Sequence, residues 1–347
     1  MRLLILTQKI DKNDDVLGSF HRWIAEFAKH SEEVLAVGLS VGEHHFPKNV
    51  RVFSLGKESG VSRLRYLWNF YRLILRERKN YDAVFVHMNP EYVILGGIPW
   101  RMMGKKVGFW YTHKNVDLKL RLATHCADVI FSASPESFRI NTPKCHIVGH
   151  GIDTARFLGI KRIPDGIFRV LSIGRLSRTK GYSTLLGALD MLKDEGIPFE
   201  TQVVGGPATE EDKVYVNELK GEISRRGLEK TLGLVGPVPH NKIEPYLASA
   251  DLFVNMSGTG SLDRAVLEAM ASGIPALTSN EGLRTTLAGF EETCMFKEGD
   301  AKDFAEHICA FMQMPEDDRR KLGERLREVV EKSHNLKKLI PQVLKLY

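Results

Sequence analysis

Short, continuous apolar runs alternate with longer amphipathic stretches from the first residues of the chain onward. Runs at 3–7, 34–38, 50–55, 83–87, 107–111 and 129–132 are strand-sized, and the segments between them have helix length. The runs are apolar throughout, so both faces of each predicted strand are covered, as in parallel sheets built from βαβ units. From about 153 to 166 the rhythm lapses, and Gly159, Pro164 and Gly166 predict a connection between domains. A second α/β series then runs through 169–173, 200–204, 233–235, 252–255 and 275–278. The expected architecture is α/β, with two doubly wound domains facing each other across a cleft. They span residues 1–158 and 159–333, and ligands are expected beyond the carboxyl ends of the strands.

Size agrees with this division, since 347 residues exceed the usual extent of one core. No apolar run approaches the roughly 20 residues that span a bilayer. In the opening MRLLILTQKIDKNDD the acidic residues arrive too early for a signal peptide, so the expected location is the cytoplasm. Cys126, Cys145, Cys294 and Cys309 lack metal-binding spacing, and no metal site is expected. The formal charge of +6 favours anionic partners without choosing among them. Basic residues are dispersed among comparable numbers of acids, which argues against nucleic acid. No GxGxxG follows the first strand, which argues against a dehydrogenase. Asp11, Asn13 and Asp15 echo a calcium loop, but Val16 and Arg22 occupy its glycine and closing glutamate positions, so that reading is rejected.

Two segments carry candidate chemistry. In the first, a strand ends at Gly174-Arg175 and a helix opens near Lys180-Gly181. Arg175 offers a planar fork and Lys180 a point charge, which together suit a diphosphate; a basic surface turn is the alternative. In the second, a strand leads through Gly258, Thr259, Gly260 and Ser261 into a helix whose free N–H groups favour an anion. Leu262, Ala265, Val266, Ala269 and Met270 form its apolar stripe. Glu268 lies off that stripe, either as a solvated side chain or as an acceptor for ribose hydroxyls. Residues 61–79 form a basic, aromatic helix in which Val61, Leu64, Trp68, Tyr71 and Leu75 share a face opposite Arg65, Asn69, Arg72 and Arg76. This helix either covers the first sheet or docks on anionic lipid.

Taken in order, these pieces resemble the family-four retaining glycosyltransferases of the GT-B fold. The matching residues are Gly174-Arg175 with Lys180-Gly181, Val203-Val204-Gly205-Gly206-Pro207, Val235-Gly236, Tyr246-Leu247-Ala248-Ser249-Ala250-Asp251, and Leu267-Glu268-Ala269-Met270-Ala271-Ser272-Gly273-Ile274-Pro275. Gly149-His150-Gly151-Ile152-Asp153 resembles the turn before the family's interdomain link, with His150 where Asn is usual.

The resemblance implies a nucleotide diphosphate sugar as co-substrate and a glycan or lipid-linked acceptor, with the enzyme in the cytoplasm or peripheral on the inner face of the membrane. Arg175 and Lys180 would hold the leaving diphosphate, Glu268 the ribose, and the loop Gly260, Ser261, Leu262, Asp263 and Arg264 the phosphates, beside Gly174, Gly206 and Val235. Fixed cations and a helix terminus then do what a divalent ion does elsewhere, so no metal is expected. Gly260 stands where the family has a glutamate that contacts the donor sugar, and Asp263 is the candidate substitute. His113, after the Trp110-Tyr111-Thr112 strand end, matches the family's active-site histidine or is a hydrogen-bonded loop residue. Gly18, Ser19, His21, His87 and Glu91 are acceptor-side candidates, and residues 334–347 are expected to cross back onto the first domain. A nucleotide-sugar epimerase and a non-catalytic nucleotide-sugar binding module remain the competing readings.

Overall fold

The computed structural model describes residues 1–14, 16–159, 166–193, 198–258 and 262–347. Two compact units divide the chain, one of Met1–Asp153, Pro239–Asn241 and His334–Tyr347, the other of Thr154–Val238 and Lys242–Ser333.

The first unit begins with β1 (Arg2–Ile10), α1 (Phe20–Lys29), β2 (Glu33–Val41), β3 (Val50–Ser54), α2 (Arg63–Arg76), β4 (Ala83–His87) and α3 (Pro90–Met102). It continues with β5 (Lys106–Trp110), α4 (Leu118–Cys126), β6 (Val129–Ser132) and β7 (Cys145–Ile147). The strands form a parallel seven-stranded sheet in the order β3-β2-β1-β4-β5-β6-β7. Leu3, Leu4, Ile5 and Leu6 in β1 are all fully buried, as a strand covered on both faces requires. Strand order reverses between β1 and β4, which makes their carboxyl ends the ligand-binding edge. The crossovers β3 to β4, β4 to β5 and β5 to β6 all run the same way along the sheet, so right-handedness places α2, α3 and α4 together on one face.

Helix starts follow local chemistry. Asn89 accepts from the Glu91 N–H ahead of Pro90 at the start of α3, and Asp117 accepts from the Leu120 N–H to open α4. The basic helix expected at 61–79 does cover the sheet, but not with its expected face. α2 buries Phe70, Leu73 and Ile74, with Phe70 stacked on Tyr92 and edge-on to Trp100, and leaves Leu64, Trp68 and Leu75 exposed. The helix has two apolar rows, and the row nearer the aromatic side chains of α3 is the one taken inside.

The second unit contains β8 (Phe168–Ile173), α5 (Tyr182–Leu192), β9 (Phe199–Val204), α6 (Glu210–Arg225), β10 (Leu232–Gly236) and α7 (Glu244–Ser249). There follow β11 (Leu252–Asn255), α8 (Arg264–Ala271), β12 (Ala276–Thr278), α9 (Glu291–Cys294), α10 (Ala301–Gln313) and α11 (Glu316–Ser333). Its five-stranded parallel sheet has the order β10-β9-β8-β11-β12, so the reversal lies between β8 and β11. α8 is buried well beyond its expected stripe, because Val266 to Ala271 are all enclosed, Glu268 included. The reason is α11, which lies against α8 at Gly323, where a Cβ would stand 1.9 Å from the Gly273 carbonyl oxygen.

After α11 the chain returns to the first unit as α12 (Leu336–Leu344), which packs on α1. Ile152 N–H donates to the His334 carbonyl at 2.6 Å, and Leu336 N–H donates to the Ile152 carbonyl at 2.8 Å. The Tyr347 hydroxyl donates to the Val84 carbonyl at 2.8 Å, over Gly108, where a Cβ would stand 2.0 Å from that hydroxyl.

His334 is only 5% exposed, its Nδ1 accepts from the His150 N–H at 3.1 Å, and burial lowers its pKa from 6.5 to about 4. The folded protein therefore holds a neutral ring. Below pH 6.5 the unfolded chain binds a proton that the folded chain refuses, so this group removes stability as pH falls from 6.5 towards 4. Its share between pH 7 and pH 5 is about 2 kcal/mol. Urea melts should show the parent losing more stability than His334→Gln across that interval; equal losses would refute the assignment.

Candidate active site

The carboxyl edge of the second sheet is shaped by glycines that let loops touch. Gly205 follows β9 at φ 142°, and a Cβ there would lie 1.9 Å from the Gly174 carbonyl oxygen, so only glycine allows the two turns to meet. Gly174 N–H donates to the Val204 carbonyl at 2.9 Å and Leu176 N–H to the Gly206 carbonyl at 3.0 Å, which extends the β8–β9 ladder into these turns. A single helical turn, Arg178–Lys180, then leads into α5. Gly181, at φ 67°, brings the start of α5 against the backbone after β11, where a Cβ would stand 2.5 Å from the Met256 carbonyl oxygen.

This path carries Lys180 to the start of α8. Its Nζ lies 2.5 Å from Asp263 Oδ2, and its side chain lies against Gly174. Asp263 caps α8, accepting from the Ala265 N–H through Oδ1 at 3.2 Å. Its Oδ2 also accepts from Asn255 Nδ2 at 2.9 Å and from the Ser257 hydroxyl at 3.4 Å. Asn255 Oδ1 accepts in turn from the Ser257 and Thr278 hydroxyls at 2.9 and 3.0 Å. Burial raises the Asp263 pKa, but the Lys180 charge and the donors around the carboxylate outweigh it, and the net shift is downward. An ionised carboxylate and an ammonium thus meet at the switch point between β8 and β11, supported by a polar chain that reaches β12.

Arg175 lies on the other side of Gly174. Its Nε is 3.8 Å from Asp212 Oδ2 at the start of α6, and the side chain is half exposed. Arg178 pairs with Glu218 at 2.5 Å and lies over the Tyr215 ring. Glu268 is buried and accepts from Arg264 Nε at 2.8 Å, one turn earlier on α8. Gly206 sits against Pro237, Val235 is exposed on β10, and Leu262 is buried. Thr259, Gly260 and Ser261 lie outside the described residues.

Sequence reasoning missed Asn255, Ser257, Thr278 and Glu298. The Glu298 carboxylate fills the space that a Cβ on Gly258 would occupy, at 1.6 Å. Asn255 had a readable signal, a polar residue closing an otherwise apolar strand; the other three acquire meaning only from strand order. A cavity of about 600 Å³ in this unit is lined by Asp251, Pro275 and Arg319. Asp251 and Pro275 immediately precede β11 and β12, so it opens at the opposite, amino ends of the strands.

In the first unit, His87 ends β4 at the sheet's switch point. It stacks on Phe20 at 3.8 Å, with its Nδ1 3.2 Å from the Thr7 hydroxyl. Met88 follows at φ 60°, an uncommon conformation for its type, and its Sδ accepts from the Thr112 N–H and hydroxyl at 3.2 and 3.3 Å. His21 stacks on Phe46, its Nε2 accepts from the His45 N–H at 3.1 Å, and burial lowers its pKa to about 4. Gly18 and Ser19 close the turn into α1, with Gly18 N–H donating to the Asp14 carbonyl. Glu91 stands apart, paired with Lys119 at 2.6 Å. His113 follows β5, accepts from the Asn115 N–H at 3.2 Å, and is held below the ordinary histidine pKa by partial burial and by Lys114.

The colanic acid biosynthesis glycosyltransferase WcaL of Escherichia coli, so described, is 28% identical over 194 residues, covering 53% of this chain and 46% of that protein. The amylovoran biosynthesis glycosyltransferase AmsK of Erwinia amylovora is 30% identical over 170 residues, covering 47% and 40%. The chain thus spans about half the length of the curated relatives it matches. Among solved structures, Anabaena HepE in complex with UDP and glucose superposes with a TM-score of 0.78 at 18% identity, covering 99% of this chain and 98% of that one. The two parallel sheets are those of the GT-B fold. The model of the family described as glycosyl transferases group 1 matches residues 153–329, slightly more than half of the chain and nearly all of the second unit. The chain therefore belongs to the glycosyl transferases group 1 family.

Proposed function

We propose that this chain is a retaining glycosyltransferase that moves a hexose-type sugar from a nucleotide diphosphate donor to an acceptor hydroxyl, in the synthesis of a cell-surface glycan or glycolipid. The observation that carries this reading is Lys180, held at the switch point of the second sheet between the Gly174 turn and the first residues of α8. An ammonium beside the free N–H groups of a helix start suits a diphosphate. Support also comes from family membership, from relatives named for colanic acid and amylovoran biosynthesis, and from HepE, whose structures hold UDP and UDP-glucose.

In this reading Lys180, aided by Arg175, stabilises the diphosphate as the bond from its oxygen to the sugar C1 breaks. The acceptor oxygen attacks C1 from the same face, and its proton passes to the departing phosphate oxygen. Glu268 serves the ribose, which requires that its carboxylate be shared with or released from Arg264. Asp263 is the resting counter-ion of Lys180, and the incoming diphosphate competes with it. The fixed cations supply the charge that a divalent metal provides elsewhere, and the family resemblance assigns His113 to the donor sugar.

A panel of UDP-, GDP- and ADP-sugars tests the proposal. One base and sugar should raise the melting temperature by about 5 °C at saturating concentration and be slowly hydrolysed without acceptor. With an acceptor present, the product should keep the donor's anomeric configuration. Rearrangement of the donor with no acceptor present would indicate an epimerase instead, and no stabilisation by any member would overturn the proposal.

A further inference from the structure

Asp263 is mostly enclosed, its side chain 12% exposed, and its charge partner is Lys180. Taking one member from such a pair is costly because the other charge stays behind. The groups around Asp263 therefore decide whether Lys180 can be lent to a ligand at all.

Three neutral donors reach the carboxylate. Ala265 N–H serves Oδ1 at 3.2 Å, and Asn255 Nδ2 serves Oδ2 at 2.9 Å. The third is the Ser257 hydroxyl, which has one hydrogen and two acceptors, Asn255 Oδ1 at 2.9 Å and Asp263 Oδ2 at 3.4 Å. While Lys180 holds Oδ2 at 2.5 Å, that hydrogen belongs to the nearer acceptor, and it can turn to the carboxylate once the ammonium leaves. Asn255 Oδ1 is not orphaned by the turn, because the Thr278 hydroxyl still donates to it at 3.0 Å.

The same bonds fix the orientation of Asn255. Asn280 N–H donates to the Thr278 hydroxyl oxygen at 3.0 Å, which aims the Thr278 hydrogen at Asn255. Asn255 must then present its oxygen to Thr278 and its NH2 group to Asp263. Asn255, Ser257 and Thr278 are all buried, so the chain is shielded from water. A carboxylate that accepts two or three hydrogen bonds keeps its charge with no cation beside it.

We infer that Asn255 is a positioning residue of the donor site. Its amide holds the Asp263 carboxylate at the start of α8, so that Lys180 can leave it for a diphosphate without stranding an enclosed charge. Asn255 touches no ligand in this role and acts through Asp263, while Ser257 supplies the movable hydrogen that completes the exchange. The role rests on the diphosphate reading of Lys180 and adds to it a means of release.

Calorimetric titration of the full chain with inorganic pyrophosphate, without added metal, tests it. Asn255→Leu keeps the branched shape, loses the amide and should weaken binding about fivefold. A hydrogen bond to a carboxylate is worth most when no ammonium neutralises it, so its loss favours the closed Lys180–Asp263 pair. Ser257→Ala, the milder change, should weaken binding about threefold. Asp263→Asn should bind pyrophosphate more tightly than the parent, because Lys180 loses its resting partner. In that background Asn255→Leu should alter affinity by less than about twofold, since no carboxylate remains to be held. A merely structural Asn255 would carry its full loss into that background, and such a result would overturn the inference. So would near-parental affinity in both Asn255→Leu and Ser257→Ala. Failure of the parent itself to bind pyrophosphate would overturn the diphosphate reading, and the role of Asn255 with it.

Discussion

Lys180→Ala should reduce donor turnover by roughly a hundred- to a thousandfold, the usual loss when one preorganised group aimed at developing charge is removed. The variant loses the ammonium that meets Asp263 at 2.5 Å. Two effects are then mixed, because a partly buried carboxylate also loses its counter-ion, at a cost to stability of roughly 1–3 kcal/mol. The double variant Lys180→Ala with Asp263→Asn separates them. Asparagine keeps an oxygen for the Ala265 N–H and carries no charge, so melting should recover in part, short of the parent because its amide nitrogen faces the Asn255 amide that Oδ2 accepted from, while turnover stays low. Lys180→Ala turning over within threefold of the parent would remove Lys180 from the chemistry. Recovery of turnover in the double variant would reduce its role to neutralising Asp263.

The largest effect on stability is expected from Gly205→Ala. Two costs combine there: a backbone at φ 142° and a Cβ placed 1.9 Å from the Gly174 carbonyl oxygen. The second cost can be relieved only by moving backbone, since no flexible side chain stands in the way. A loss of roughly 3 kcal/mol or more follows, about 10 °C in melting temperature for a unit of this size. Gly289→Ala is the comparison, with φ 82° and nothing within 4 Å of its Cβ, and it should lose only the roughly 1–2 kcal/mol of a left-handed residue. Because Gly174 opens the turn that leads to Arg175 and Lys180, Gly205→Ala should also weaken donor binding in whatever fraction stays folded. Equal melting of the two alanine variants would show that the turns after β8 and β9 do not touch as described.

The fold was legible in the sequence wherever a strand is apolar on both sides. The runs at 83–87 and 252–255 coincide with β4 and β11. β7 escaped notice because Cys145–Ile147 is a three-residue edge strand with a histidine at its centre. Helix faces were harder to read. α2 carries two apolar rows, and helical spacing cannot say which one turns inward. Glu268 reads as an outward residue on α8 only until α11 is laid across that helix through Gly323.

In the candidate site, glycine and cation spacing made the Gly174 and Lys180 turn visible. Asp263 was legible as a loop candidate but not as the partner of Lys180, because that pair, and the support Asp263 takes from Asn255 and through it from Thr278, form only once β8, β11 and β12 lie side by side. Arg175 reads as the twin of Lys180, yet its neighbour Asp212 comes from the start of α6, far along the chain.

The first unit is assembled from segments far apart in the chain, with His334–Tyr347 packed onto Met1–Asp153. On the ribosome, everything from Thr154 onward must be synthesised before α12 can reach α1 and Tyr347 can reach the Val84 carbonyl. At typical elongation rates that interval is roughly 10–40 s. Throughout it the side of α1 that α12 will cover lacks that helix, and the second unit is itself complete only at Ser333, 14 residues before Tyr347.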